Sequence, residues 1–161
     1  MLPHKHAIVS TAIGAIAWWT TGDARAGAAA VLAGVLPDID HIADYSYYRW
    51  RGAHRLILPL HGYEYAGVAA AAGLVLRDRA LVAASLSYLV HLLADQAENR
   101  THPLGYSLLF RARHGFRLEE LSTVPEYAAR GREDDIRMLK RLLERLRARA
   151  GLGARGSNGA S

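Results

Sequence analysis

Cysteine is absent from this chain of 161 residues. Disulfide staples and thiolate metal sites are therefore excluded, and any metal must be held by His, Asp or Glu. Charge is absent over long stretches: there is none in residues 7–19, 26–36, 67–76 or 80–93. A soluble bundle helix keeps one polar face, whereas a helix apolar all round belongs inside a large protein or a membrane. Four such helices cannot all be central in one small domain. Length argues the other way, because a spanning helix needs about 20 residues and these runs cover only roughly 17–24 Å. Flanking residues can extend each run, and Arg25, Arg77 and Arg79 can snorkel. The sequence is read as membrane-embedded, with a soluble cytoplasmic bundle as the alternative. A repeat at solenoid spacing is also lacking.

What is present is unevenly spread. Residues 1–96 carry seven basic and seven acidic side chains, so the net charge of +5 comes from the thirteen basic and eight acidic ones that follow. Apolar runs at 7–19, 26–36, 61–76 and 80–93 are too long and too rich in Ala and Leu for strands, and each predicts a helix. Asp23 is placed to cap the second, and Pro37 to end it. Residues 133–150 predict a fifth, amphipathic helix, with Ile136, Leu139, Leu142, Leu143 and Leu146 on one face. Its acidic residues Glu133, Asp134, Asp135 and Glu144 break any uniform basic stripe, so nucleic acid is not an expected partner. Lys5, the first apolar run and Ala24-Arg25-Ala26 imitate a secretory signal, but Asp23 and Arg25 beside the supposed cleavage point speak against one. The expected fold is all-α: an antiparallel bundle of four apolar helices plus the amphipathic C-terminal helix. One metal-binding domain is expected over 1–150, with a disordered Gly/Ser/Ala tail at 151–161.

The chemistry lies in where the polar residues fall. His4 and His6 precede the first apolar run; Asp38, Asp40 and His41 follow the second. His54 and His61 lie before or at the start of the third, and His91 and Asp95 close the fourth, with His102 just beyond. Two helical hairpins thus begin and end at one end of the bundle, and that end receives these histidines. Each piece has a plainer reading: Asp38 and Asp40 can cap a turn, and His91 and Asp95, at i and i+4, can be a simple hydrogen-bonded pair. Together they bring imidazoles and carboxylates to one place, a donor set suited to a divalent metal, zinc first, with manganese or iron as alternatives. The candidate ligands are His6, Asp38, Asp40, His41, His54, His61, His91 and Asp95. Glu64, one turn beyond His61, is a further candidate, and His114 lies outside the pattern.

His6 before an apolar helix, Leu36-Pro37-Asp38-Ile39-Asp40-His41, His54-Arg55 followed by His61, and His91 with Asp95 four residues on resemble the bacterial inner-membrane metal-dependent hydrolases. That family is similar in turn to the helical zinc-dependent phospholipase C superfamily. The resemblance covers residues 4–110 and implies hydrolysis. In phosphoester hydrolysis a metal lowers the pKa of a bound water and clamps substrate oxygens. Asp38 or Asp40 would then bind the metal or act as general base, and Arg55 and Arg100 would hold a phosphate. The implied partners are membrane lipid and a small phosphoester. The alternative is a non-catalytic membrane protein whose metal staples the helix ends. The site end carries Lys5, Arg49, Arg51, Arg55 and Arg100, which by the positive-inside rule places it at the cytoplasmic side of the cell membrane.

Overall fold

Helices make up most of the computed structural model, which describes residues 3–51 and 55–149. No strand forms among the described residues; only two isolated bridges occur, Arg55 with Arg117 and Thr101 with Ser122. The chain divides into two units, residues 1–125 and 126–161.

In the first unit, α1 (Pro3–Thr21) and α2 (Ala24–Val35) are joined by a tight turn. Gly22 there adopts φ 68°, in the left-handed region, and Asp23 accepts from Arg25 N at 2.9 Å, the cap expected from sequence. The two helices touch through residues with almost no side chain. A Cβ on Gly27 would lie 2.9 Å from Gly14 O, and one on Gly34 would lie 2.0 Å from Ser10 Oγ. Contacts that climb one helix while descending the other make the pair antiparallel.

The long apolar helix near the centre of the chain, α5 (Arg79–Asn99), packs on α2, on α1 and on α4 (Tyr63–Leu76). Asp78 caps it, accepting from Ala80 N at 2.8 Å. The core where α1, α2 and α5 meet is alanine: Ala26, Ala30 and Ala83 are buried, with Ile13 and Ala17 against them. Many of the larger aliphatic side chains point outward instead, with Val75 82 % and Leu74 70 % exposed.

Between the two hairpins the structure adds a helix that the sequence reading did not include. Pro37 follows the end of α2 at Val35, as expected, and a 3-10 turn over Leu36–Ile39 carries the chain directly into α3 (Asp40–Arg51). The stretch continues as helix because proline is well accommodated in a helix's opening turn. Beyond α5, α6 (Leu108–Arg113) and α7 (Leu118–Leu121) cover a second small core of Leu56, Leu58, Tyr106, Leu118 and Leu121. Leu56 N donates to Phe116 O at 2.8 Å and His102 N to Leu121 O at 2.8 Å, tying this layer together.

The second unit carries α8 (Pro125–Arg149), which starts eight residues before the expected 133. Pairs one helical turn apart support it, among them Arg137 with Asp134 at 3.0 Å. The expected tail at 151–161 lies outside the described residues.

Candidate metal centre

Four elements and one loop deliver the site. His6 comes from the first turns of α1, Asp38 from the 3-10 turn, His41 from the start of α3, and His91 and Asp95 from adjacent turns of α5; His61 precedes α4. His6, His61, His91 and Asp95 are almost wholly buried.

The orientation of two imidazoles is set by what stands behind them. His91 Nδ1 lies 2.9 Å from Gly34 O. A carbonyl only accepts, so Nδ1 carries the proton and Nε2 is left with its lone pair. His61 Nδ1 lies 3.0 Å from Asp40 Oδ1 and 3.1 Å from Asp40 Oδ2, which fixes the same tautomer. The two Nε2 atoms then face each other at 3.0 Å. Asp95 Oδ2 stands 3.3 Å from His61 Nε2 and 3.6 Å from His91 Nε2. Asp38 Oδ1 is 3.7 Å from His91 Nε2 and 3.8 Å from His41 Nε2. His6 Nε2 donates to Asp95 Oδ1 at 2.8 Å, and its ring stacks on that of His91 with centroids 3.8 Å apart. Burial disfavours a charged His61, but the hydrogen bonds to Asp40 and Asp95 outweigh it and raise its pKa above the ordinary 6.5.

Opposed lone pairs beside two carboxylates repel unless something positive lies between them. A proton can serve, and so can a divalent cation. The residues fit a cation: His6, Asp38, His91 and Asp95 offer ligand atoms all within 4.8 Å of one another, and so do Asp38, His41, His61 and Asp95. Asp38 Oδ2 is buried and has no hydrogen-bond partner, which a ligand role would supply. The histidines are held from behind by a carboxylate and a backbone carbonyl, the usual support of metal-binding imidazoles.

Six of the eight residues expected as ligands thus gather in one place. Asp40 stands behind His61 and belongs to neither set, since its oxygens take His61 Nδ1 and Leu60 N, the latter at 2.8 Å. His54 lies outside the described residues. Arg55 and Arg100 are exposed, Arg55 within its bridge to Arg117. Glu64 is spent elsewhere: it accepts from Ser107 Oγ at 2.6 Å and Leu108 N at 3.0 Å, capping α6. His102 stacks on Phe110 and His114 pairs with Glu120, both apart from the gathered ligands.

Three supporting residues went unseen in the sequence. Tyr88 accepts from Gly62 N at 2.9 Å and donates to Leu60 O, gripping both sides of His61. Its position three residues before His91 on α5 was a usable signal, since such pairs share a helix face. Arg111 is fully buried and donates to Leu58 O at 2.9 Å and to His61 O. Gly34 admits His91 to its carbonyl where α1, α2 and α5 converge. Nothing local in the sequence marks either role. Comparison with protein-family models, curated proteins and solved structures finds no match to this chain.

Proposed function

We propose that the chain is a membrane-embedded, metal-dependent hydrolase of phosphoesters, lipid head groups among them. The observation that carries this is the pair of imidazoles, His61 and His91, held at Nδ1 by Asp40 and by Gly34 O, whose Nε2 atoms converge with Asp38 and Asp95. A bound divalent ion would supply an activated water and a clamp on substrate oxygens. Zinc is the first choice of metal for such a nitrogen and oxygen set, then manganese or iron.

Catalysis rather than stapling is favoured by an opening on one side. The Asp38 and His41 side chains are 13 % and 46 % exposed, whereas those of His61 and Asp95 are fully buried. A structural site is closed on all sides, and a catalytic one keeps an approach for substrate. In this reading Asp38 holds the metal and Asp40 positions His61. Arg55 and Arg100 remain the candidate clamps for an incoming phosphate.

Membrane embedding rests on the outward aliphatic faces. Two stretches, Ala24–Tyr47 and Arg79–Asn99, are long and apolar enough to cross a membrane, and only 33 % of each apolar window is buried. A core helix of a soluble protein would be mostly covered. Trp18 and Trp19, exposed at the end of α1, suit the level of lipid head groups.

The test is turnover of a panel of phosphomonoesters and phosphodiesters, soluble and lipid, by detergent-purified protein stripped of metal and reloaded with zinc, manganese or iron. Activity restored by metal and lost in Asp38→Ala, but kept in His114→Ala, is expected. Tight metal binding without turnover of any ester would favour the stapling role instead.

A further inference from the structure

The end of the bundle away from the histidines has a site of its own. There α1 and α4 both pack against α5, and between them runs a groove of about 570 Å³. That volume lies in the range of small-ligand sites. The walls are Ile13 and Ile16 of α1, Leu74 of α4, and Val82 and Leu86 of α5. Where Ala17 and Ala83 line it, small side chains leave the space open. We propose that this groove holds one acyl chain of an anionic phospholipid, with the lipid phosphate bound by Arg77 and Arg79. The site is separate from the metal centre and rests only on the membrane reading.

Charge at the groove's end selects the head group. The turn Arg77-Asp78-Arg79 meets the last residues of α1 there, Thr20 and Thr21. Asp78 is spent on Ala80 N at 2.8 Å and Leu81 N at 3.3 Å. Asp23, in the neighbouring turn, holds Arg25 at 3.3 Å. Arg79 Nη1 donates to Thr21 O at 3.0 Å, which places its guanidinium between α5 and the end of α1. Among the described residues Arg77 and Arg79 form no ion pair. Two guanidiniums without a carboxylate, beside a groove lined with aliphatic side chains, match a phosphate that carries an apolar tail.

The backbone at Arg77 adds to this. It caps α4 with φ 53°, in the left-handed region, where glycine is the usual residue. An arginine carries a steric penalty there that glycine does not, and it sets a guanidinium at the groove's end. Depth agrees as well. Trp18 and Trp19 are exposed on the last turn of α1, the level of lipid head groups. From Arg79 to Leu86 the groove then follows roughly 10 Å of α5 away from that level.

The experiment measures lipid retention on the full, metal-stripped chain in detergent, so no substrate is held through a metal. Native mass spectrometry follows titration with phosphatidylglycerol or phosphatidylcholine of matched acyl chains. One phosphatidylglycerol per chain is expected to survive detergent that removes phosphatidylcholine. Arg77→Gly keeps the turn, since glycine suits φ 53°, so its helices and Tm should persist. Its preference for phosphatidylglycerol should fall about fivefold or more, the worth of one basic residue at an anionic head group. Leu86→Trp puts bulk into the groove and should lose both lipids, while His114→Ala should behave as the parent. Circular dichroism checks the fold of each variant. Equal retention of the two lipids by the parent, an undiminished preference in Arg77→Gly, or displacement of the lipid by inorganic phosphate alone would overturn the site. Failure of that kind in a protein that still needs detergent would leave membrane embedding intact. Recovery in a detergent-free soluble fraction would remove the membrane reading and the lipid with it.

Discussion

Asp40 stands where it could support a metal site without being one of its ligands. Its carboxylate sets the tautomer of His61 and is itself held by Leu60 N. Supports of this kind are worth about 10–100-fold in metal affinity. Asp40→Asn is therefore expected to weaken zinc binding by roughly that factor in a chelator competition while the protein stays folded. An unchanged affinity would show that His61 is held well enough by Tyr88 and Arg111 alone. The sequence made Asp40 a candidate ligand because Pro-Asp-x-Asp-His puts two carboxylates side by side. It could not show that the first Asp lies in a 3-10 turn and the second opens a helix, which sends them to opposite sides of His61. Glu64 was misread for a related reason. It was paired with His61 on one helix face, but α4 begins at Tyr63, after the histidine. Acidification should release the metal, since imidazole binds it only when neutral. Zinc retention at falling pH, read by dialysis and elemental analysis, is expected to drop as the histidines charge.

At the scale of elements, α1, α2, α4 and α5 were legible because apolar runs and turn residues agree along them. Asp23 was legible as a cap by its type and place. The helix α3 was not, since its Tyr and Arg residues break any apolar run, and the proline that ends α2 gives no sign that a new helix opens just beyond it. Nor were α6 and α7, whose few residues hold no full period and which form against a tertiary surface. Arg111 belongs to that layer, and its effect reaches the site through two carbonyls. Arg111→Met keeps the bulk and removes the donors, leaving Leu58 O and His61 O unsatisfied. The expected cost is about 2–3 kcal/mol or more of stability, seen as a lowered Tm, together with weaker zinc binding. A lowered Tm with zinc affinity intact would confine Arg111 to the fold. The amphipathic pattern expected over residues 133–150, of which 133–149 lie in α8, suits attachment to an anionic bilayer surface. Deleting residues 133–161 is expected to reduce salt-sensitive binding to anionic vesicles, whereas deleting 151–161 should change little; equal effects would reject that role for α8.

For the whole molecule, the orientation in the membrane is a claim that the chain makes easy to test. With no native cysteine, one introduced at Arg100 or at Arg77 is the sole thiol. Given the basic residues at the site end, a membrane-impermeant maleimide added to intact spheroplasts should label Arg77→Cys and spare Arg100→Cys. The reverse pattern would invert the topology, and equal labelling with recovery in a detergent-free soluble fraction would remove the membrane.

The alanine and glycine seam between α1, α2 and α5 has its own consequence. Alanine has no rotamers to freeze, so these helices close on one another without the side-chain entropy that leucine or methionine would lose. Little is gained there by expelling water, and cohesion falls to dispersion between backbones at very short range. Such a joint is vulnerable to a wedge more than to a void. Shaving Ile13 to alanine removes atoms from its edge, whereas one methyl added at Gly14 arrives 2.7 Å from the carbonyl oxygen of Gly27 and must push two helices apart.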